Sequence, residues 1–262
     1  MYQFNVLHII LIAVMLLSGV VLYLFFNKNE LDDKLNTIKL LATVNLFITI
    51  IRLFWIMFSK NYSYNFLDDL FLNPVEVISI AAFIIMFKGK YQHIHNLYFL
   101  GIFFSIIMII FPSSKYFGNI FYIHNALYIA NLYLNLLICF FVSSVYKPGV
   151  NDIITSIKNL FSIVVIVFCI NTLLIVSGLN ESANYFYTVQ GENNLLFSFI
   201  HKLIPISFVY FLVVIILVWL WSYLLYGINF LLEKPINRFK RYLNKDISWY
   251  VSGKTIIKKE IK

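Results

Sequence analysis

Long apolar stretches alternate with short polar breaks along the chain, and each stretch approaches the roughly 20 residues a helix needs to cross a bilayer. Seven of them run approximately over 4–26, 39–59, 70–87, 97–113, 121–145, 159–178 and 203–232. They are apolar on all faces, without the period of two that marks a transmembrane barrel strand. The pattern predicts an all-α, polytopic transmembrane helix bundle of about seven helices over 1–232, followed by a polar tail over 233–262. The last stretch exceeds the thickness of the hydrocarbon, so it is expected to tilt, protrude or kink near Pro205. The first has no Lys or Arg before it and no small-residue cleavage site after it, which favours a retained helix over a secretory leader.

Composition agrees: 61% of the 262 residues are hydrophobic and only 12% are charged, too few to cover a soluble domain of this size. The net charge of +8 is unevenly placed. With the N-terminus outside, sixteen Lys and Arg fall on the inner side and three on the outer, leaving Arg52 inside a helix. This asymmetry predicts the N-terminus out and the C-terminus in. Nine of the inner cations belong to the tail, where they alternate with Phe239, Tyr242, Trp249 and Tyr250. Such a tail suits an anionic inner leaflet, although basic inner segments also serve simply to set topology. Nucleic-acid binding has no supporting motif.

The polar residues inside the apolar stretches carry the candidate chemistry. In "FLNPVEVISIAAFIIMF", residues 71–87, Glu76 follows a proline within a run that is otherwise membrane-like. A carboxylate at that depth is costly without a partner or a task. Arg52 lies about seven residues, or roughly 10 Å, from the outer end of the preceding helix, which is nearly the depth of Glu76. Consecutive helices are usually neighbours, so an Arg52–Glu76 ion pair is expected, as a functional group or as a lock that holds two helices in register. His8, His124, Asn171 and His201 fall in the same outer layer. Together they suggest a polar pocket open toward the outer leaflet. The outer loop "NESANYFYTVQGENN", residues 180–194, brings Asn184 and Tyr185; it can act as a lid over that pocket or as a solvated connector with its tyrosines at the interface.

Other features exclude more than they propose. Cys139 and Cys169 lie in apolar spans without ligand-like spacing and read as small core residues. His93 and His95 stand two apart with no third ligand beside them, so no metal and no cofactor are expected. No Walker loop, GxGxxG, GxSxG or HExxH occurs. Asn61 and Asn180 begin N-x-S triplets, which matter only in a eukaryotic secretory pathway.

Four features also occur in a particular order between about residues 4 and 225: the His of "NVLHIILI", a proline opening the third helix, the His of "FYIHNALYIANLYL", and the "NYFYTVQGE" loop before the last helix. In this the chain resembles the YwaF-like family of bacterial integral membrane proteins, which is related to an animal transmembrane acyltransferase of phospholipid metabolism. The family motif at the third helix reads Leu-Pro-Leu-His-Leu-Cys. Here "NPVEVI" keeps Pro74, replaces the His by Glu76 and replaces the Cys by Ile78. In the acyltransferase relatives that cysteine is the proposed acyl acceptor, and an isoleucine cannot form a thioester. The resemblance therefore implies a membrane lipid as partner, handled by a residual enzyme or by a relative that only binds it. A small-solute or proton-coupled transporter and a structural membrane subunit are the alternatives from other classes. The abundance of Asn, Lys, Ile, Tyr and Phe suggests an AT-rich genome and hence the cytoplasmic membrane of a bacterium.

Overall fold

A computed structural model describes residues 5–58, 67, 72–113, 122–191, 194–232, 249–251 and 256–258. Asn5 opens the first helix, α1 (Val6–Phe26), by accepting the backbone N–H of His8 at 2.8 Å. There follow α2 (Leu31–Phe58), α3 (Pro74–Phe87), α4 (Tyr91–Ile110), α5 (Ile123–Val145), α6 (Val150–Val176), α7 (Leu195–Leu203) and α8 (Val209–Leu232). Six of these, all except α3 and α7, are long and apolar enough to cross a membrane. Asp32, Asp33 and Lys34 belong to α2, which therefore starts eight residues before the apolar stretch does.

The sixth expected stretch starts nine residues early, at Val150, and three further boundaries shift for local reasons. The third stretch forms a helix only from Pro74, whose missing N–H and fixed φ suit the first helical position, so α3 has 14 residues. The fourth begins six residues early, in the polar sequence Tyr91–Asn96, and contains a π turn over Leu97–Gly101. The seventh is interrupted at 204–208: Ile204 is extended (φ −130°), as the residue before a proline prefers, and α8 starts only after Pro205. The segment ahead of that break is the separate short helix α7. The described residues are otherwise mostly helical. An antiparallel ribbon pairs β1 (Tyr146–Lys147) with β2 (Trp249–Val251), and β2 with β3 (Ile256–Lys258). The rest of the expected basic tail lies outside the described residues.

Contacts between helices define two ends of the bundle. At one, His8 of α1 meets Ile109 of α4, and Arg52 of α2 meets Glu76 of α3. At the other, the rings of Phe26 and Phe141 stack 3.8 Å apart, and Asn159 of α6 donates to Asn96 of α4 at 3.1 Å. These are called the His8 end and the Phe26 end. Between them α2, α3 and α5 pack around Ile38, Ala42, Ile56, Ala82, Leu136 and Ile138, all fully buried. By contrast α1 buries only His8, Met15, Gly19 and Phe26, and the rest of its apolar surface faces outward, as a lipid-facing helix requires. Cys139 is buried as expected, whereas Cys169 is exposed on the outside of α6 and is not a core residue.

The π turn permits one close approach. A Cβ on Gly101 would lie 2.4 Å from Cys139 Sγ but 3.7 Å from Cys139 Cβ, so the sulfur alone demands glycine there. Gly101→Ala is expected to cost roughly 1–3 kcal/mol through overpacking. Adding Cys139→Ala is expected to recover most of that loss, in thermal unfolding followed in detergent. A double variant as unstable as Gly101→Ala would place the clash elsewhere.

Candidate functional site

Glu76 occupies the first turn of α3, where the helix dipole favours a negative charge. Its Oε1 accepts a hydrogen bond from Arg52 Nη2, forming the expected ion pair, and both side chains are almost fully buried. Glu76 Oε2 has no hydrogen-bond partner among the described residues. The guanidinium also lies 5.2 Å from the centre of the Tyr128 ring on α5, within cation–π range.

Toward the Phe26 end this pair continues into an amide ladder that joins the same three helices. Asn45 of α2 donates to Asn135 Oδ1 (2.7 Å) and Ser79 Oγ (3.1 Å), and Asn131 donates to Asn45 Oδ1 (2.9 Å). Asn135 in turn donates to the Val75 carbonyl at 3.0 Å. In lipid, where apolar surfaces gain little by meeting each other, such bonds hold helices together, each contributing about 0.6–2 kcal/mol. Sequence reasoning missed these residues, although a signal was present. Asn45, Thr49 and Arg52, like Tyr128, Asn131 and Asn135, recur at helical spacing and so share one face of an apolar helix.

The other expected site residues fall into separate groups. His8 is fully buried, but its Nε2 donates to the Ile109 carbonyl at 3.1 Å, tying α1 to α4. His124 is half-buried at the start of α5 and its ring lies parallel to that of Tyr122. His201 belongs to α7, with its ring edge-on to Tyr210 at 4.9 Å. Asn171 of α6 is fully buried and fastens the 180–191 loop: it donates to the Tyr185 carbonyl (2.9 Å) and to Thr188 Oγ1 (2.8 Å), and accepts the Tyr185 N–H (3.0 Å). Asn184 closes the loop on itself through the Val189 and Gln190 N–H groups, both at 3.1 Å. Asn180 donates to the Leu67 carbonyl at 3.1 Å, while Asn61 lies outside the described residues.

This loop is packed and is no solvated connector: Tyr185, Phe186 and Tyr187 are all buried. Phe186 and Tyr187 both take left-handed backbone angles (φ 56° and 57°), a conformation that bulky residues rarely adopt. Burial, with the nearby Glu76 charge, pushes the Tyr187 phenol above the ordinary tyrosine range, so the side chain stays neutral. The Tyr187 ring stacks on that of Phe197 at 4.8 Å, while its neighbour Phe186 turns to a different space.

That space is a cavity of about 370 Å³ on another face of α3. Pro74, Val77, Ile78, Ala81 and Ile85 form one wall, α4 and α6 supply the others, and Phe186 contributes from the loop. His93, Asn96, Asn159 and Ser162 are its polar lining. None of the expected site residues His8, Arg52, Glu76, His124, Asn171, Asn184 and Tyr185 lines it. The physical reason is the helical period: Glu76 and Ser79 point to α2 and α5, whereas Val77, Ile78 and Ala81 point away from them. The polar residues fill their own space with hydrogen bonds, and the open volume is apolar.

No curated protein and no solved structure matches the chain. The model of the TMEM164 family matches residues 3–226, nearly the whole bundle. With six apolar helices of membrane-spanning length and that match across them, the chain is a multi-pass membrane protein and belongs to the TMEM164 family.

Proposed function

We propose that this protein holds one acyl chain of a membrane lipid in the slot between α3, α4 and α6. The observation that carries the reading is the slot itself. Its volume of about 370 Å³ is at the low end for ligand pockets, which suits a single chain better than a whole lipid. From Pro74 to Ile85 its α3 wall rises roughly 16 Å, about half the thickness of the hydrocarbon core and so the depth of one leaflet. Ile78, the position of the acyl-acceptor cysteine in the resembling acyltransferases, lies on this wall. An isoleucine there contributes apolar surface and no nucleophile, so the activity is lipid binding without cysteine-based transfer. On this reading the ion pair and amide ladder act as the lock that fixes α3 against α2 and α5.

The Lys and Arg asymmetry supports an orientation with the His8 end outside and the Phe26 end at the cytoplasmic face of a cell membrane. The polar lining of the slot then faces the inner leaflet, in contrast to the outer pocket expected from single-residue depths. Native mass spectrometry of the protein extracted from its own membrane tests the reading. A discrete lipid adduct is expected in the wild type and its loss in Ile78→Trp and in Ala81→Phe, which fill the slot. An adduct retained by both folded variants would overturn it.

A further inference from the structure

Three exposed lysines, Lys88, Lys90 and Lys158, stand close in the chain to residues at the polar end of the slot. α3 ends in a tight turn, Lys88–Gly89–Lys90, in which Lys88 N–H bonds the Ile84 carbonyl (3.1 Å) and Lys90 N–H bonds the Ile85 carbonyl (2.9 Å). Gly89 makes this possible with φ at 62°, and the turn brings the backbone of both lysines to the end of the α3 wall of the slot. The Lys90 carbonyl accepts the His93 N–H at 3.0 Å, so both backbone partners of Lys90, Ile85 and His93, are slot-lining residues. On the α6 wall, Lys158 precedes Asn159, which donates to Asn96 Oδ1 at 3.1 Å and leaves the Asn96 amide N–H groups available as donors. Lys88, Lys90 and Lys158 are exposed, and among the described residues none of them forms an ion pair. By contrast Lys34 is used by the Asn27 carbonyl and Lys39 lies over the Phe87 ring.

We propose that Lys88, Lys90, His93, Asn96, Lys158 and Asn159 form an anion subsite that takes the phosphate of the phospholipid whose chain fills the slot. This rests on the slot reading above and adds to it the head group and its position. Three ammonium groups without an ion-pair partner among the described residues supply charge; the Asn96 amide and His93, whose Nε2 accepts from the Gln92 amide at 3.2 Å and whose Nδ1 remains to donate, supply directional donors. A neutral lipid of the same chain length would fill the slot but leave these donors to water. A soluble phosphate ester offers the same anion without a chain, so the two sources must be separated by experiment.

The test uses the full chain in detergent, stripped of lipid and then offered equal amounts of phosphatidylglycerol and diacylglycerol with matched chains. Retention is read by native mass spectrometry. A lysine near a membrane anion is worth about fivefold in affinity, so the wild type is expected to favour phosphatidylglycerol by well over tenfold. The triple variant Lys88→Gln, Lys90→Gln, Lys158→Gln is expected to lose that preference while holding diacylglycerol as before. Lys28→Gln, a cation at the same end but on α1's exit, is expected to change nothing. Equal retention of the two lipids by the wild type, or an unchanged preference in the triple variant, would overturn the subsite and leave the slot standing. A preference lost equally in Lys28→Gln would assign the effect to diffuse surface charge and also overturn it. Glycerophosphate binding as tightly as phosphatidylglycerol would show a site for soluble anions and overturn the lipid assignment. Failure to retain either lipid would instead remove the slot reading itself.

Discussion

Glu76→Ala is expected to destabilise the protein by about 3–5 kcal/mol, the largest effect of any single substitution considered, because it leaves the Arg52 guanidinium buried without its counter-charge. The carboxylate sits in the first turn of α3 and the guanidinium on α2, so the loss falls on the contact that sets the position of α3. Arg52→Leu is expected to be similarly severe, since it strands the carboxylate. The double variant Arg52→Leu, Glu76→Leu removes both charges, and a buried ion pair replaced by apolar groups is often near neutral. It is therefore expected to be more stable than either single variant. Thermal unfolding in detergent, followed by size-exclusion chromatography, measures all three. Singles as mild as a surface substitution, or a double that is merely the sum of the singles, would show that the two charges are not coupled.

Asn171→Leu is expected to cost on the order of 3 kcal/mol. Three hydrogen bonds from one buried side chain fasten the 180–191 loop, and two of them serve the backbone of Tyr185. Removing the amide leaves a buried N–H and a buried carbonyl without this partner, at about 1–3 kcal/mol for each group left unsatisfied. The next two residues, Phe186 and Tyr187, are in left-handed conformations that only surrounding contacts sustain. The loss should therefore show as local opening before global unfolding. Hydrogen exchange over 180–191 is expected to rise strongly in the variant while exchange in α2 and α5 stays slow. Uniform acceleration across the bundle, or none in the loop, would contradict the assignment.

Six of the seven expected spans and the ion pair were legible in the sequence because each follows from one coarse variable. Hydropathy marks where a chain can cross a bilayer, and helix direction converts residue number into depth, which puts Arg52 and Glu76 level on adjacent helices. The boundaries that failed are those set by stereochemistry. The polar turn Tyr91–Asn96 is helical although it is not apolar, and Pro205 divides a run that hydropathy reads as continuous. Depth alone also gathered residues that differ in azimuth. His8, Asn171 and Glu76 share a layer but serve α4, the loop and α2 respectively, because the direction in which a side chain leaves its helix is a property of packing. The slot was the least legible feature. Its walls are ordinary apolar residues, and an empty volume among Val, Ile, Leu and Ala leaves no compositional trace.

The 14 residues of α3 amount to about 21 Å of helix, well short of a hydrocarbon slab roughly 30 Å thick. Adjustment to bilayer thickness therefore falls to the six helices long enough to cross it, which can tilt when the bilayer changes. α3 is held in place through Glu76, Ser79 and the Val75 carbonyl, which meet Arg52 and the amides of α2 and α5. Its height in the membrane is set by protein chemistry, so the same slot depth is presented in a thin bilayer as in a thick one.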